Sequence, residues 1–143
     1  MNCTFNKPSL LAEIADLMIN AAESKAKEQS LSISISIVDE SGILKAFRRM
    51  DGAPLVSVGI AHKKAITAVG FGFDTGDAWF NFIKDDPILR EGVASIDNFI
   101  LLGGGRAIVI DNRIVGAIGI SGGHYKQDQL CADAAIDIIN EGK

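Results

Sequence analysis

The sequence LSISISIV at residues 31–38 decides the fold. Isoleucines at positions 33, 35 and 37 alternate with serines at 32, 34 and 36, and this period of two predicts a β-strand with one isoleucine-lined face. The turn-forming sequence DESG follows at residues 39–42, and residues 43–50 continue as a second strand. The two strands are therefore predicted to form an antiparallel hairpin.

Helical periodicity lies on both sides of this hairpin. Over residues 10–26, apolar side chains recur at the i, i+3, i+4, i+7 spacing of an amphipathic helix, and Pro8 just before them suits a first helical turn. Residues 55–69 show the same spacing after the turn residues Asp51 and Gly52. We therefore predict one helix before the hairpin and one after it.

The second half of the chain repeats the hairpin and helix signals. Within residues 100–120, two apolar runs are joined by Asp111 and Asn112, which predicts a second hairpin. Residues 127–139 predict a final helix, and the loop-rich middle is expected to hold a short helix at residues 75–83 with Thr75 as its N-cap. The order αββα, loop, ββα predicts an α+β fold, with helices packed on the faces of one sheet.

Composition restricts the class of protein. The chain has 143 residues, is 48% hydrophobic, and has a net charge of −4, so residues 1–143 are expected to form a single soluble domain. The acidic balance argues against nucleic-acid and anionic membrane partners, and no apolar run approaches the roughly 20 residues that cross a bilayer. Cys3 and Cys131 form no CxxC pair, which makes a disulfide framework or zinc site improbable. The N-terminus lacks the pattern of a secretory signal, so a cytoplasmic location is expected.

A histidine-dependent site must use His62 or His124, because the chain has no other histidine. His62 lies beside Lys63 and Lys64, on the side of the second predicted helix opposite its apolar face. A neutral imidazole there can bind a metal or a haem iron, and the two ammonium groups can neutralise haem propionates. The alternative is a solvated basic helix face. His124 can meet an anion at the start of the last helix, or it can be a surface residue without a function.

Two further patterns have both a functional and a structural interpretation. Gly103 to Gly105, followed by Arg106, can cradle an anion with backbone N–H groups, or can serve only as a strand start with close backbone approach. An aromatic stripe can line a flat apolar slot for a tetrapyrrole, although such clusters more often form a core or a subunit interface. The stripe contains Phe71, Phe73, Trp79, Phe80 and Phe82.

Three strings resemble one known family. They are SIVDESGILKAFRRMDGAPLVSVGIAHKKAITA at residues 36–68, LGGGRAIVIDNRIVGAIGISGG at residues 102–123 and QDQLCADAA at residues 127–135. Their order and spacing, including the aspartate seven residues after Ser121, resemble the GlcG, HbpS and PduO C-terminal family (DUF336) of haem-binding and haem-degrading domains. The chain looks like a stand-alone, OrfY-type member of the kind associated with glycerol or propanediol metabolism.

The resemblance implies a profilin-like fold, with a five-stranded antiparallel sheet and helices on both faces in α/β/α layers. It also implies a homo-oligomer, from tetramer to octamer, that binds haem and in some members degrades it slowly by oxidation. Residue chemistry, rather than a shared motif, then assigns His62 as the axial metal ligand and Lys63, Lys64 and Arg48 as propionate partners. Relatives often have a Gly-Gly-(Ile or Leu)-Pro loop where this chain has Arg106, which we therefore expect to contact the ligand and alter its affinity.

The resemblance leaves a second function open. In this alternative the chain is a non-catalytic accessory or sensor protein in cobalamin-dependent glycerol or propanediol metabolism, or in glycolate metabolism. It would then bind a corrinoid, another small ligand or a partner protein rather than haem.

Overall fold

A computed structural model describes residues 1–142 of the chain and shows one antiparallel sheet with helices on both faces. The helices are α1 (Ala12–Glu28), α2 (Ser57–Phe71), α3 (Asp77–Ile83), α4 (Pro87–Ala94) and α5 (Tyr125–Glu141), and the strands are β1 (Ser34–Asp39), β2 (Leu44–Arg49), β3 (Gly105–Ile110) and β4 (Arg113–Ser121). The strand order is β2-β1-β4-β3, and each neighbouring pair is antiparallel. The predicted α+β class and both predicted hairpins are confirmed.

The isoleucine face of β1 forms the main core. Ile33, Ile35 and Ile37 are fully buried against α1 and α5, together with Ile118 and Ile120 of β4. These residues pack from both strands onto one side of the sheet because alternate side chains of a strand point to the same face. The predicted period of two is confirmed.

The opposite face of the sheet is lined by small residues and is covered by α2. Ser34, Ser36 and Ala117 are fully buried there, and Gly119 lies directly under the helix. A Cβ atom at Gly119 would overlap the carbonyl oxygen of Ala61, so only glycine allows α2 to lie this close. Small strand residues therefore set the position of α2, which carries the candidate site.

The sheet has four strands in the described residues, so the predicted number of five is wrong. The N-terminal segment does not add a strand, although the Leu10 N–H donates to the Val115 carbonyl (3.2 Å).

The expectation that Pro8 lies in the first turn of α1 is wrong too. Leu11 is extended (φ −70°, ψ 142°), because the chain is still running along β4 at this point and begins the helix only at Ala12.

The middle of the chain is more helical than predicted. Thr75 is not the N-cap of α3, because its buried hydroxyl accepts a hydrogen bond from the Gly105 N–H (2.8 Å) instead. Helix α4 was not predicted, although Asp86 caps it and Pro87 occupies its first turn. Among helices α1 to α5, none is long and apolar enough to span a membrane.

The aromatic stripe forms an edge-on cluster around one buried ring, Trp79, rather than a flat slot, and its phenylalanines stay partly exposed. The Trp79 ring is buried, and four phenylalanine rings pack edge-on near it and near one another, with centroid separations of 4.9 to 6.0 Å. These phenylalanines are Phe71, Phe73, Phe82 and Phe99. Phe80 is not among them and is half exposed.

Candidate functional site

His62 is held against the sheet by a serine of β1. Its Nδ1 atom lies 3.0 Å from the Ser36 Oγ atom, and the side chain is half-buried. Ser36 reaches the ring because it alternates with the isoleucines and so points toward α2. The Nε2 atom has no hydrogen-bond partner within residues 1–142. This hydrogen bond orients the ring, and when Nδ1 donates to the serine hydroxyl, the lone pair of Nε2 is left to bind a metal.

Apolar residues lie near His62 on α2 and on β2. Val58 and Ile66 lie one turn before and after it on α2, and Phe47 is paired with Ser36 across the β1–β2 ladder. All three side chains are partly exposed, because α2 packs over β1, β4 and β3 and leaves the same face of β2 uncovered. Directly opposed residues of an antiparallel pair point to the same face of the sheet, so Phe47 lies on the His62 side.

Arg49 completes this surface. It is paired with Ser34, which places it on the same face as Phe47, and its guanidinium donates a hydrogen bond to the Ala53 carbonyl (3.2 Å). We call the surface formed by Phe47, Arg49, Val58, His62 and Ile66 the His62 face. It combines one ring nitrogen free to bind a metal, an apolar floor and a cation at one end.

The structure separates the two lysines that follow His62. Lys63 is exposed beside it, whereas Lys64 is 1% exposed, so the prediction that Lys64 shares the solvated side of the helix is wrong. The physical reason is the 100° turn between successive helical residues, which carries Lys64 around to the sheet and the start of α5. There its ammonium group lies beside a carboxylate and a backbone carbonyl. The helical periodicity of the sequence does not predict these contacts.

Lys64 forms a buried ion pair with Asp128. Its Nζ atom donates to the Asp128 Oδ2 atom (3.0 Å) and to the Ile120 carbonyl (2.8 Å), and Asp128 Oδ1 accepts from the Gly123 N–H (3.0 Å). Burial lowers the pKa of Lys64 and raises the pKa of Asp128, although each charge favours the other. Sequence spacing does not single out Asp128 among the aspartates that could act as an acid or base, although it is the aspartate seven residues after Ser121 in the family resemblance.

A cavity of about 230 Å³ opens beside this ion pair. We call it the Lys64 pocket. It is lined by Lys64, Asp128, Ser57, Tyr125, Leu102 and the Ser121–Gly123 segment, with Pro54, Val56 and Ile60 at its apolar side. A second cavity of about 280 Å³ beside Phe80 shares Leu102 and Tyr125 with it. Neither cavity includes His62.

The structure does not bring Arg48 together with His62. Arg48 is paired with Ile35 and therefore points to the α1 side of the sheet, where its guanidinium binds Glu23 (2.6 Å) and Asn20 (2.9 Å). The hydrogen bond from Arg48 lowers the pKa of Glu23. Neighbouring residues of a strand point to opposite faces of the sheet, so Arg49, and not Arg48, is the cation on the His62 face.

Arg106 also lies away from His62. It is paired with Ile118, and its guanidinium binds Asp74 (3.2 Å) and Asp133 of α5 (2.6 Å). The glycines before it do not form an open anion cradle at Gly105, because that N–H is bound to Thr75. Arg106 therefore joins α5 and the segment after α2 to the edge of the sheet.

His124 is the N-cap of α5. Its Nδ1 atom accepts from the Lys126 N–H (3.1 Å), and the Gln127 side chain accepts from the His124 N–H (3.0 Å), which completes a capping box. Within residues 1–142, no group of three or more His, Cys, Asp or Glu side chains is placed to hold a metal ion. His62 is thus the histidine with a ring nitrogen available on an apolar surface.

Comparison with known proteins places these features in a family. The family model described as "Haem degrading protein HbpS-like" matches residues 10–137. The chain is also 30% identical over 140 residues to an uncharacterized 15.0 kDa protein in the dhaT-dhaS intergenic region of Citrobacter freundii, covering 95% of this chain and 99% of that protein.

Solved structures share the whole fold. The Klebsiella pneumoniae protein ORFY superposes with a TM-score of 0.89 and 28% identity, covering 98% of this chain and 97% of that one. The structure of the PduOC:Heme complex superposes with a TM-score of 0.86 and 32% identity, covering 92% of this chain and 96% of that one. The resemblance seen in the sequence is confirmed, and the chain belongs to the HbpS-like (DUF336) family.

Proposed function

We propose that the chain binds haem on the His62 face, with His62 Nε2 as the axial ligand. The observation that carries this proposal is the 3.0 Å hydrogen bond between Ser36 Oγ and His62 Nδ1, which orients the ring and leaves Nε2 unpartnered in the described chain. The family description and the haem complex of a relative support haem as the ligand class.

The residues of the His62 face fit a haem group in their chemistry. Val58, Ile66 and Phe47 offer an open apolar surface against which a planar macrocycle can lie. Arg49 and the exposed Lys63 supply cations for propionate groups. The Lys64 pocket does not include His62, so the open face is the better candidate for a haem that His62 binds.

The proposal extends to slow oxidative breakdown of the bound haem. Bound haem iron would supply the oxygen chemistry, while His62 and the apolar side chains of the His62 face would hold and orient the haem. After haem loading, ascorbate in air is expected to bleach the Soret band and release iron that a ferrous chelator detects. A Soret band that survives this treatment would limit the function to binding.

A haemin titration followed by absorbance tests the binding proposal. We expect a saturable Soret shift with haemin, and no saturable spectral change with cobalamin as the parallel ligand. Saturation with cobalamin and not with haemin would contradict the proposal and favour the corrinoid-binding accessory function. Saturation with neither would favour the sensor or partner-binding alternative.

Adjacent arginines provide a matched pair of variants for locating the site. Arg49→Ala removes the cation on the His62 face and is expected to weaken haemin binding by about threefold, the size of one partly solvated ion pair. Arg48→Ala removes the neighbouring cation on the opposite face and is expected to leave haemin affinity unchanged. Equal effects of the two variants, or a larger effect of Arg48→Ala, would place haem elsewhere.

We also propose that the chain assembles into a homo-oligomer of four to eight copies. Large apolar side chains stay exposed around α3 and α4, notably Phe80, Phe82 and Ile88, whose exposed fractions are 52%, 58% and 84%. Exposed apolar patches of this kind favour subunit contacts.

A further inference from the structure

The Lys64 pocket has features that a purely structural ion pair does not require. Lys64 Nζ has three protons and two acceptors, Ile120 O and Asp128 Oδ2, and its third proton has no acceptor within residues 1–142. Both side chains are almost completely buried, yet the two residues lie at the wall of a cavity that opens to solvent.

The size and charge of the pocket restrict its ligand. A volume of about 230 Å³ corresponds to roughly eight waters at about 30 Å³ each, so the ligand has few non-hydrogen atoms. The ammonium and the carboxylate cancel, so the base of the pocket attracts an uncharged polar group rather than an ion. Pro54, Val56 and Ile60 on the apolar side suit a short alkyl chain.

We propose that the Lys64 pocket binds short-chain aldehydes or ketones, and that Lys64 Nζ forms a reversible protonated imine with their carbonyl carbon. This proposal is independent of haem binding, because the Lys64 pocket and the His62 face share no residue. Buried lysines in apolar pockets are the side chains that form such imines with carbonyl substrates.

Asp128 can carry the proton through the whole reaction. The Lys64 ammonium first gives a proton to the Asp128 carboxylate across 3.0 Å, and the free amine attacks the carbonyl carbon. A proton then moves from nitrogen to oxygen, giving a neutral carbinolamine. The protonated Asp128 returns its proton to the carbinolamine hydroxyl, which leaves as water as the C=N bond forms. One water is released, and no oxidant or reductant is needed.

The charge balance of the pocket is the same before and after this reaction. The protonated imine is a cation that keeps its pairing with the Asp128 carboxylate, so no buried charge is left alone. The imine nitrogen has a single proton, so it loses the hydrogen bond to the Ile120 carbonyl. This loss makes the adduct less stable and therefore reversible. The lowered pKa of Lys64 and the raised pKa of Asp128, both caused by burial, ease the first proton transfer.

Reductive trapping with propanal and sodium cyanoborohydride tests the proposal, with peptide mapping by mass spectrometry as the readout. We expect Lys64 to carry a propyl group at aldehyde concentrations that leave its exposed neighbour Lys63 unmodified. Pyrene-1-carbaldehyde, whose fused ring system exceeds the volume of the pocket, is expected to label exposed lysines and not Lys64. Labelling of Lys63 with no labelling of Lys64, or equal labelling of Lys64 by both aldehydes, would overturn the proposal.

Three variants separate the pocket from general lysine reactivity. Leu102→Trp narrows the pocket and is expected to remove most of the Lys64 label, whereas Leu130→Trp, at an equally exposed leucine outside the pocket, is expected to retain it. Asp128→Asn is expected to slow trapping by about a hundredfold, as for the loss of a general acid. Unchanged labelling in Leu102→Trp would overturn the proposal even if Asp128→Asn fails to fold. Haemin binding by Leu102→Trp is expected to be unchanged.

Discussion

At the scale of single residues, the ion pair of Lys64 and Asp128 matters for stability mainly because the loss of either side chain would leave the other charge buried without a partner. Both side chains are almost completely buried, at 1% and 2% exposure. Removing one partner of such a pair leaves an uncompensated buried charge, whereas replacing both with apolar residues can be nearly neutral.

We therefore expect Lys64→Met to lower the free energy of unfolding by about 3–5 kcal/mol, and the double variant Lys64→Met/Asp128→Leu to recover most of that loss. Urea unfolding of the wild type, both single variants and the double variant measures this coupling. A double variant whose loss equals the sum of the single losses would show that the two charges do not interact.

The pair of Arg48 and Glu23 predicts a pH dependence with a definite sign. The hydrogen bond from Arg48 lowers the pKa of Glu23 below its ordinary value of 4.5, so its stabilisation is present above that value and is lost as the pH falls through the lowered pKa. Because both side chains are partly exposed, we expect Arg48→Ala to cost only about 0.5–1 kcal/mol at neutral pH.

This difference between Arg48→Ala and the wild type is expected to shrink toward zero in urea unfolding experiments as the pH falls through the lowered pKa of Glu23, below 4.5. Arg49→Ala provides the control, because Arg49 forms no ion pair within residues 1–142 and its effect is expected to lack this pH dependence. A cost of Arg48→Ala that persists unchanged in acid would contradict the assigned role of Glu23.

At the scale of secondary-structure elements, the packing of α2 on the sheet depends on Gly119. A Cβ atom there would overlap backbone atoms of Ala61 and Ala65, which cannot move aside as the end of a side chain can. We expect Gly119→Ala to destabilise the fold by about 3 kcal/mol and to disturb the bond between Ser36 and His62.

Gly59 is the matched control on the same helix. It faces open space in α2, so Gly59→Ala is expected to stabilise the protein by about 0.5–1 kcal/mol through helix propensity. Thermal unfolding of both variants, with the wild type, measures the contrast. A similar response of the two variants would show that α2 does not rest closely on β4.

Most of the elements could be predicted from the sequence because they depend on local periodicity. The alternation of residues 31–38 and the spacing in α1, α2 and α5 follow from which side chains must face one core. Helix α4 was missed because its first turn follows a dense aromatic and acidic stretch that shows no clear period, even though Asp86 and Pro87 form a start signal.

The candidate site was harder to predict because it depends on register and on contacts distant in sequence. Arg48 and Arg49 are adjacent, and only the pairing with Ile35 and Ser34 determines which of them shares a face with His62. Lys64 and Asp128 are 64 residues apart, and no local pattern joins them. His62 itself was identifiable, because the chain has only two histidines.

At the scale of the whole molecule, the exposed apolar side chains of α3 and α4 predict self-association. We expect light scattering of the purified protein at micromolar concentration to give a mass of four to eight subunits that does not change on moderate dilution. A mass equal to one chain would contradict this expectation and would leave Phe82 and Ile88 exposed without a partner.

The central claim is that His62 Nε2 binds the haem iron on the His62 face, and chemical rescue of His62→Gly tests it most directly. We expect haemin bound to this variant to lack the Soret position of the wild type, and free imidazole to restore that position by occupying the space of the missing ring. His124→Asn, which changes the other histidine while keeping a capping side chain, is expected to behave as the wild type. An unchanged Soret band in His62→Gly without imidazole would contradict the account.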